Sequence, residues 1–157
     1  DIGYGGGIYI NQNVTLNSTD VIINNNSAGY GGGIVCADGS HPEIIGYDIH
    51  HNYANWFGGG IYCISSSNPT INNSQIHLNE AGNSGGGIYI YESNPALLNS
   101  DFNENTTGVY GGGIYAYDSG FSLYQSHVNE NTASNSGGGI YLGYNSTPYL
   151  EDRKSVV

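Results

Sequence analysis

The chain has 157 residues, among them 26 Gly, 15 Tyr and no Met, with 10% charged residues and a formal net charge of −11 at pH 7. So much Gly and Asn, with no apolar residues recurring at helical spacing, excludes a helical core and leaves strands and turns. The acidic balance argues against nucleic acid and anionic membrane surfaces, which need Lys and Arg against phosphate, and leaves glycans, cations and other proteins as partners.

Along the chain, Gly5-Gly6-Gly7-Ile8-Tyr9 opens a series of look-alike segments. The glycine triplet returns at Gly31, Gly58, Gly85, Gly111 and Gly137, at intervals of 26 or 27 residues. A period in this range marks a solenoid. Each period carries three apolar anchors. The first follows the glycines: Ile8, Ile34, Ile61, Ile88, Ile114 and Ile140. The second sits near a turn that often holds Pro: Leu16, Ile44, Ile71, Leu97, Leu123 and Leu150. The third is Ile22, Ile49, Ile76, Phe102 and Val128. Short anchors separated by Asn, Ser, Pro and Gly read as three short strands per coil, about six coils in all. One coil cannot bury its own anchors, so like must stack over like at a strand spacing of about 4.8 Å. The expected fold is therefore all-β, a parallel β-helix solenoid over residues 1–151. From the third anchor to the next triplet the count is nine residues, which places length variation earlier in the coil.

Residues 152–157 hold the only Arg and the only Lys of the chain and break the repeat. They read as a non-native tail, the translation of a sequencing adapter. No apolar run approaches the roughly 18 residues of a membrane span, so this segment is not expected to insert into a membrane.

Gly-Gly-Gly-Ile-Tyr paired with Ile/Phe/Val-x-x-Asn once per coil, most clearly Phe102-Asn103-Glu104-Asn105, resembles the GGA-I/L/V and FxxN motif pair of polymorphic outer membrane protein repeats. More broadly it is similar to the right-handed parallel β-helix repeats of the pectin-lyase-like superfamily, including autotransporter passengers. Gly stands where the motif has Ala. The resemblance implies a right-handed coil and a bacterial, extracellular or outer-membrane-associated protein. It also implies a structural or adhesive module contacting glycans or host and cell-surface proteins, stacked on neighbouring coils of the same longer chain.

Several columns could carry chemistry. Asn25, Asn52, Asn79, Asn105 and Asn131 lie three residues past the third anchor and read as an internal ladder satisfying turn backbone groups. If each first-anchor Ile points inward, the next residue points outward. Tyr9, Tyr62, Tyr89, Tyr115 and Tyr141, with Tyr91 and Tyr117 two positions on, then form an exposed aromatic stripe. Such a stripe can stack on sugar rings or simply stabilise the sheet. Cys36 and Cys63 fall at an inward position of adjacent coils; a disulfide is the alternative, but they read as small buried hydrophobes, because in-register side chains seldom meet disulfide dihedrals. Asp48 and Asp101, two coils apart, are the alternative catalytic pair of an inverting glycoside hydrolase. A polysaccharide lyase is disfavoured because its usual basic side chain is missing before the tail. Flat Thr rows for ice binding are lacking too. His50 over His77 lacks a third ligand, so neither a metal nor another cofactor is expected. The favoured reading is a non-enzymatic interaction module.

Overall fold

The computed structural model describes residues 3–12, 14, 16 and 18–151. The tail at 152–157 lies outside them. The described chain contains strands and turns and no helix.

Four parallel sheets run along the molecule, and in each the strand order follows the chain, so every coil lies on the one before it. The first sheet holds Ile8–Asn11, Ile34–Ala37, Ile61–Cys63, Ile88–Tyr91, Ile114–Tyr117 and Ile140–Leu142. The second holds Glu43–Ile45, Thr70–Asn72, Ala96–Leu98, Ser122–Tyr124 and Tyr149–Glu151. The third holds Ile22–Asn24, Asp48–His50, Gln75–His77, Asp101–Asn103 and His127–Asn129. These are the three strands of the expected coil. A fourth set follows the asparagine column, shortening to two residues in the later coils: Ser27–Tyr30, Tyr53–Phe57, Glu80–Ala81, Thr106–Thr107 and Thr132–Ala133.

The anchors line a single core. Ile61, Ile71 and Ile76 of one coil are all fully buried, as are Ile34, Ile44 and Ile49 of the coil before. Cys36 and Cys63 pair in register inside the same core as unbonded thiols. The Cys63 thiol is pushed well above its ordinary pKa, first by its hydrogen bond with Cys36 and then by burial.

Corners are cut by residues in the left-handed region. Gly58, with φ of 68°, turns the chain into the first sheet. Stacking then excludes side chains, since a Cβ on Gly60 would lie 2.6 Å from the carbonyl oxygen of Gly87 in the next coil. Before the asparagine column the turn falls to Asn25, His51, Leu78, Glu104 and Glu130, all with φ near 55°. For residues other than Gly, and to a lesser degree Asn, that conformation is strained.

In the first coil the register differs from expectation by one residue. Ile23, not Ile22, lies beside Ile49, and Ile22 pairs with Asp48. Ile22 is 64% exposed and Ile23 5%. It follows that Asn25 is the left-handed corner residue and Asn26 joins the ladder. Ala28, rather than Ser27, lies beside Ala54. The physical reason is that Ile-Ile followed by Asn-Asn-Asn offers two acceptable registers, and pairing with the next coil decides between them. Between third anchor and triplet the first coil is thus one residue shorter than the others. The register shift between Ala28 and Tyr30, which brings Tyr30 beside Phe57, absorbs the difference. Length variation is therefore not confined to the Pro-containing turn.

Candidate functional site

Three polar ladders brace the corners from inside. Each asparagine of the Asn26, Asn52, Asn79, Asn105, Asn131 column bonds its neighbours in sequence along the axis. Asn79 Nδ2 donates to Asn105 Oδ1 at 3.1 Å and to the carbonyl of Ile49 at 2.8 Å. Its Oδ1 accepts from the backbone N–H and from Nδ2 of Asn52, both at 3.0 Å. Every hydrogen-bonding position of the amide is used, so the ladder is architectural and leaves nothing free for a ligand. Two serine ladders have no counterpart in the sequence reading. In one, backbone N–H groups of Ser40, Ser67 and Ser93 donate to the hydroxyls of Ser67, Ser93 and Ser119. In the other, Tyr47, Ser74 and Ser100 donate to Ser74, Ser100 and Ser126. The signal was there to be read, because Ser74, Ser100 and Ser126 each stand two residues before a third anchor.

The outward column of the first sheet is in register as expected: Tyr9, Val35, Tyr62, Tyr89, Tyr115 and Tyr141. Its exposure differs from expectation. Tyr62 and Tyr89 are only 9% exposed and Val35 is buried. The cover comes from the residues just before the glycine triplets, Tyr4, Tyr30, Phe57 and Tyr110, which parallel pairing holds in a file of their own with Ser84 and Ser136. The sharp turn at the first glycine lays this file against the central one. Tyr30 lies 5.4 Å from Tyr62, Phe57 stacks on Tyr89 at 4.6 Å, and Tyr110 stacks on Tyr141 at 4.6 Å. Within the central file Tyr89 and Tyr115 stack at 4.7 Å, and Tyr115 and Tyr141 at 5.3 Å. Burial raises the pKa of Tyr62, Tyr89 and Tyr115, with neighbouring phenols adding to it. On the other side, Tyr91, Tyr117 and Tyr144 form an outer file. Here Tyr117 is 37% exposed. Taken together the three files make an aromatic plate, buried at its centre and open at Tyr4, Tyr9, Tyr117 and Tyr144.

The third sheet presents the titratable face. Gln75 lies between Asp48 and Asp101, which puts the two carboxylates about 9 to 10 Å apart at two strand spacings. Each carboxylate accepts from an imidazole: Asp48 from His77 Nε2 at 2.9 Å, and Asp101 from His127 Nδ1 at 2.7 Å. His50 stacks on His77 at 5.1 Å, and its Nδ1 shares a hydrogen bond with His51 Nδ1 at 2.7 Å. An inverting hydrolase needs one of its two carboxyls to carry a proton to the leaving group. A carboxylate engaged as an acceptor from imidazole is poorly placed for that task. Among the described residues no three His, Cys, Asp or Glu are arranged to hold a metal ion. A recess of about 340 Å³ at the first coil, walled by Gly7, Ile8, Val21 and Ile23 among others, has no titratable lining residue.

A family model described as the right handed beta helix region matches residues 2–154. No curated protein and no solved structure matches the chain.

Proposed function

The chain belongs to the right-handed β-helix family, and from that premise we propose that it is the interaction module of a secreted or cell-surface protein, adhering to glycans or partner proteins through its tyrosine plate. The repeat itself supplies a rigid structural support. The observation that carries the reading is the plate's continuity: stacked or tilted rings follow one another from Tyr4 to Tyr141 on one face, with the file Tyr91, Tyr117 and Tyr144 running beside them. An aromatic patch of this extent is a contact surface in search of a partner more often than a solvent face.

Because Tyr62 and Tyr89 are built into the fold, the test uses the rim. Replacing Tyr91, Tyr117 and Tyr144 together by Ser should abolish adhesion to cell-surface polysaccharide or to cells while leaving the melting curve nearly unchanged. Adhesion that survives in this variant would sink the reading. Asp48→Asn with Asp101→Asn provides the comparison for the hydrolase alternative. Loss of glycan turnover in that variant, with adhesion intact, would replace the interaction module by an enzyme.

A further inference from the structure

Resting on the reading of the plate as a contact surface, we infer that the file Tyr91, Tyr117, Tyr144, with Glu92 and Asp118 beside it, is a docking strip for an extended, arginine-bearing segment of a partner protein. Three observations converge on that chemistry.

The first is charge. Residues 3–151 contain no Lys and no Arg, so among them no permanently charged cation competes for the carboxylates. The second is placement. Glu92 and Asp118 are exposed, sit directly after Tyr91 and Tyr117 in successive coils, and hold the same left-handed backbone conformation, with φ of 47° and 48°. They act on the same ring: Glu92, through a hydrogen bond and its charge, and then Asp118 both raise the pKa of the Tyr91 phenol. A phenol face beside a carboxylate is the pairing a guanidinium satisfies at once, stacking on the ring while its N–H groups reach the oxygens.

The third is spacing. Ring centroids of the outer file are 5.9 Å and 6.2 Å apart. Alternate residues of an extended chain are about 6.6 to 6.8 Å apart, close enough for every second side chain to meet a successive tyrosine. The central file is tighter and more covered, with Tyr89, Tyr115 and Tyr141 nearly parallel at 4.7 Å and 5.3 Å and Tyr89 buried, whereas Tyr91 and Tyr117, also stacked, stand wider apart and Tyr117 and Tyr144 are exposed. A bound segment therefore runs along the solenoid axis, across the strands, with arginines at alternate positions over the outer file.

The test titrates the whole chain with a labelled synthetic peptide carrying Arg at every second position among Thr, against the same peptide with the neutral isostere citrulline. Fluorescence anisotropy is read at low and moderate salt. Binding should be confined to the arginine peptide and weaken with salt. The double variant Glu92→Gln, Asp118→Asn should lose about tenfold in affinity or more, and so should Tyr117→Ser. The double variant Glu80→Gln, Glu104→Gln removes the same charge from other faces of the coil and should change affinity by no more than about twofold.

Equal losses in the two double variants would reduce the effect to general attraction by net charge and overturn the site. So would equal binding of the citrulline peptide, or no binding at all. If the peptide fails to bind while the triple Tyr→Ser variant still abolishes adhesion, the contact surface stands and the arginine partner falls. If the peptide binds as expected and adhesion is unchanged in that variant, the docking strip stands and the adhesive reading falls.

Discussion

The asparagine corner and the aromatic plate are both columns repeated along one rod, yet they accept change very differently. The corner keeps one residue type in all five coils, Asn26, Asn52, Asn79, Asn105 and Asn131, and at Asn52, Asn79 and Asn105 spends every donor and acceptor of the amide. The plate puts Val35 among tyrosines in its central file and Ser84 and Ser136 among aromatics in its flanking file. A buried hydrogen-bonded position is directional and admits one side chain, since any other leaves partners unpaired. An apolar contact is not directional and admits whatever fills the space. Uniformity of this polar column therefore reports directional bonding, and variety in the plate reports packing.

Five experiments bear on that contrast. The largest effect is expected at the corner: Asn79→Ala strips partners from Asn52, from Asn105 and from the carbonyl of Ile49, and should cost about 4 kcal/mol in a denaturant melt. A loss below about 1 kcal/mol would remove the distinction between ladder and plate. Next comes the centre of the plate, where Tyr89→Ser should cost about 2 kcal/mol through lost burial and stacking. Tyr117→Ser at the rim should stay within about 0.5 kcal/mol.

Alkaline pH sharpens the same difference. Burial holds the Tyr62 and Tyr89 phenols well above the usual tyrosine range. Their contribution to stability is thus complete below about pH 10, where the unfolded chain ionises, and is lost as pH rises toward the folded values. Melting temperature should fall as pH rises above about 10, and Tyr62→Phe with Tyr89→Phe should reduce that fall. An unchanged slope would mean the central rings are not desolvated.

The last change is a gain. Leu78 holds the left-handed corner conformation with φ of 54° and its side chain exposed. Leu78→Asn should stabilise by about 0.5 to 1 kcal/mol in the same melt. A loss of stability would mean that the leucine packs better than its exposure indicates.

These contrasts also explain what could be read from sequence. Gly58-Gly59-Gly60-Ile61 and its equivalents announce the period because both the backbone turn and coil stacking reject a Cβ there, so composition records geometry directly. The anchors Ile71, Ile76 and Leu97 were legible because alternation and spacing specify the buried side. Ile22 against Ile23 was not, since neighbouring isoleucines satisfy either register and the choice is made by the coil above. The cover over Tyr62 and Tyr89 was equally hidden. It depends on Tyr30 and Phe57, which reach the central file only after the glycine turn folds them back. The pairing of Asp48 with His77, 29 residues apart, likewise appears only once coils are stacked.

The coil period has a mechanical consequence. Each coil meets only its two neighbours, and the ladders join them one rung at a time, so a force applied to the chain ends peels coils singly instead of shearing a whole sheet. Releasing 26 or 27 residues per event frees about 90 Å of extended chain. Pulled at constant speed, the solenoid should give way in a sawtooth of evenly spaced steps, yielding by one tooth at a time while the remaining coils stay wound.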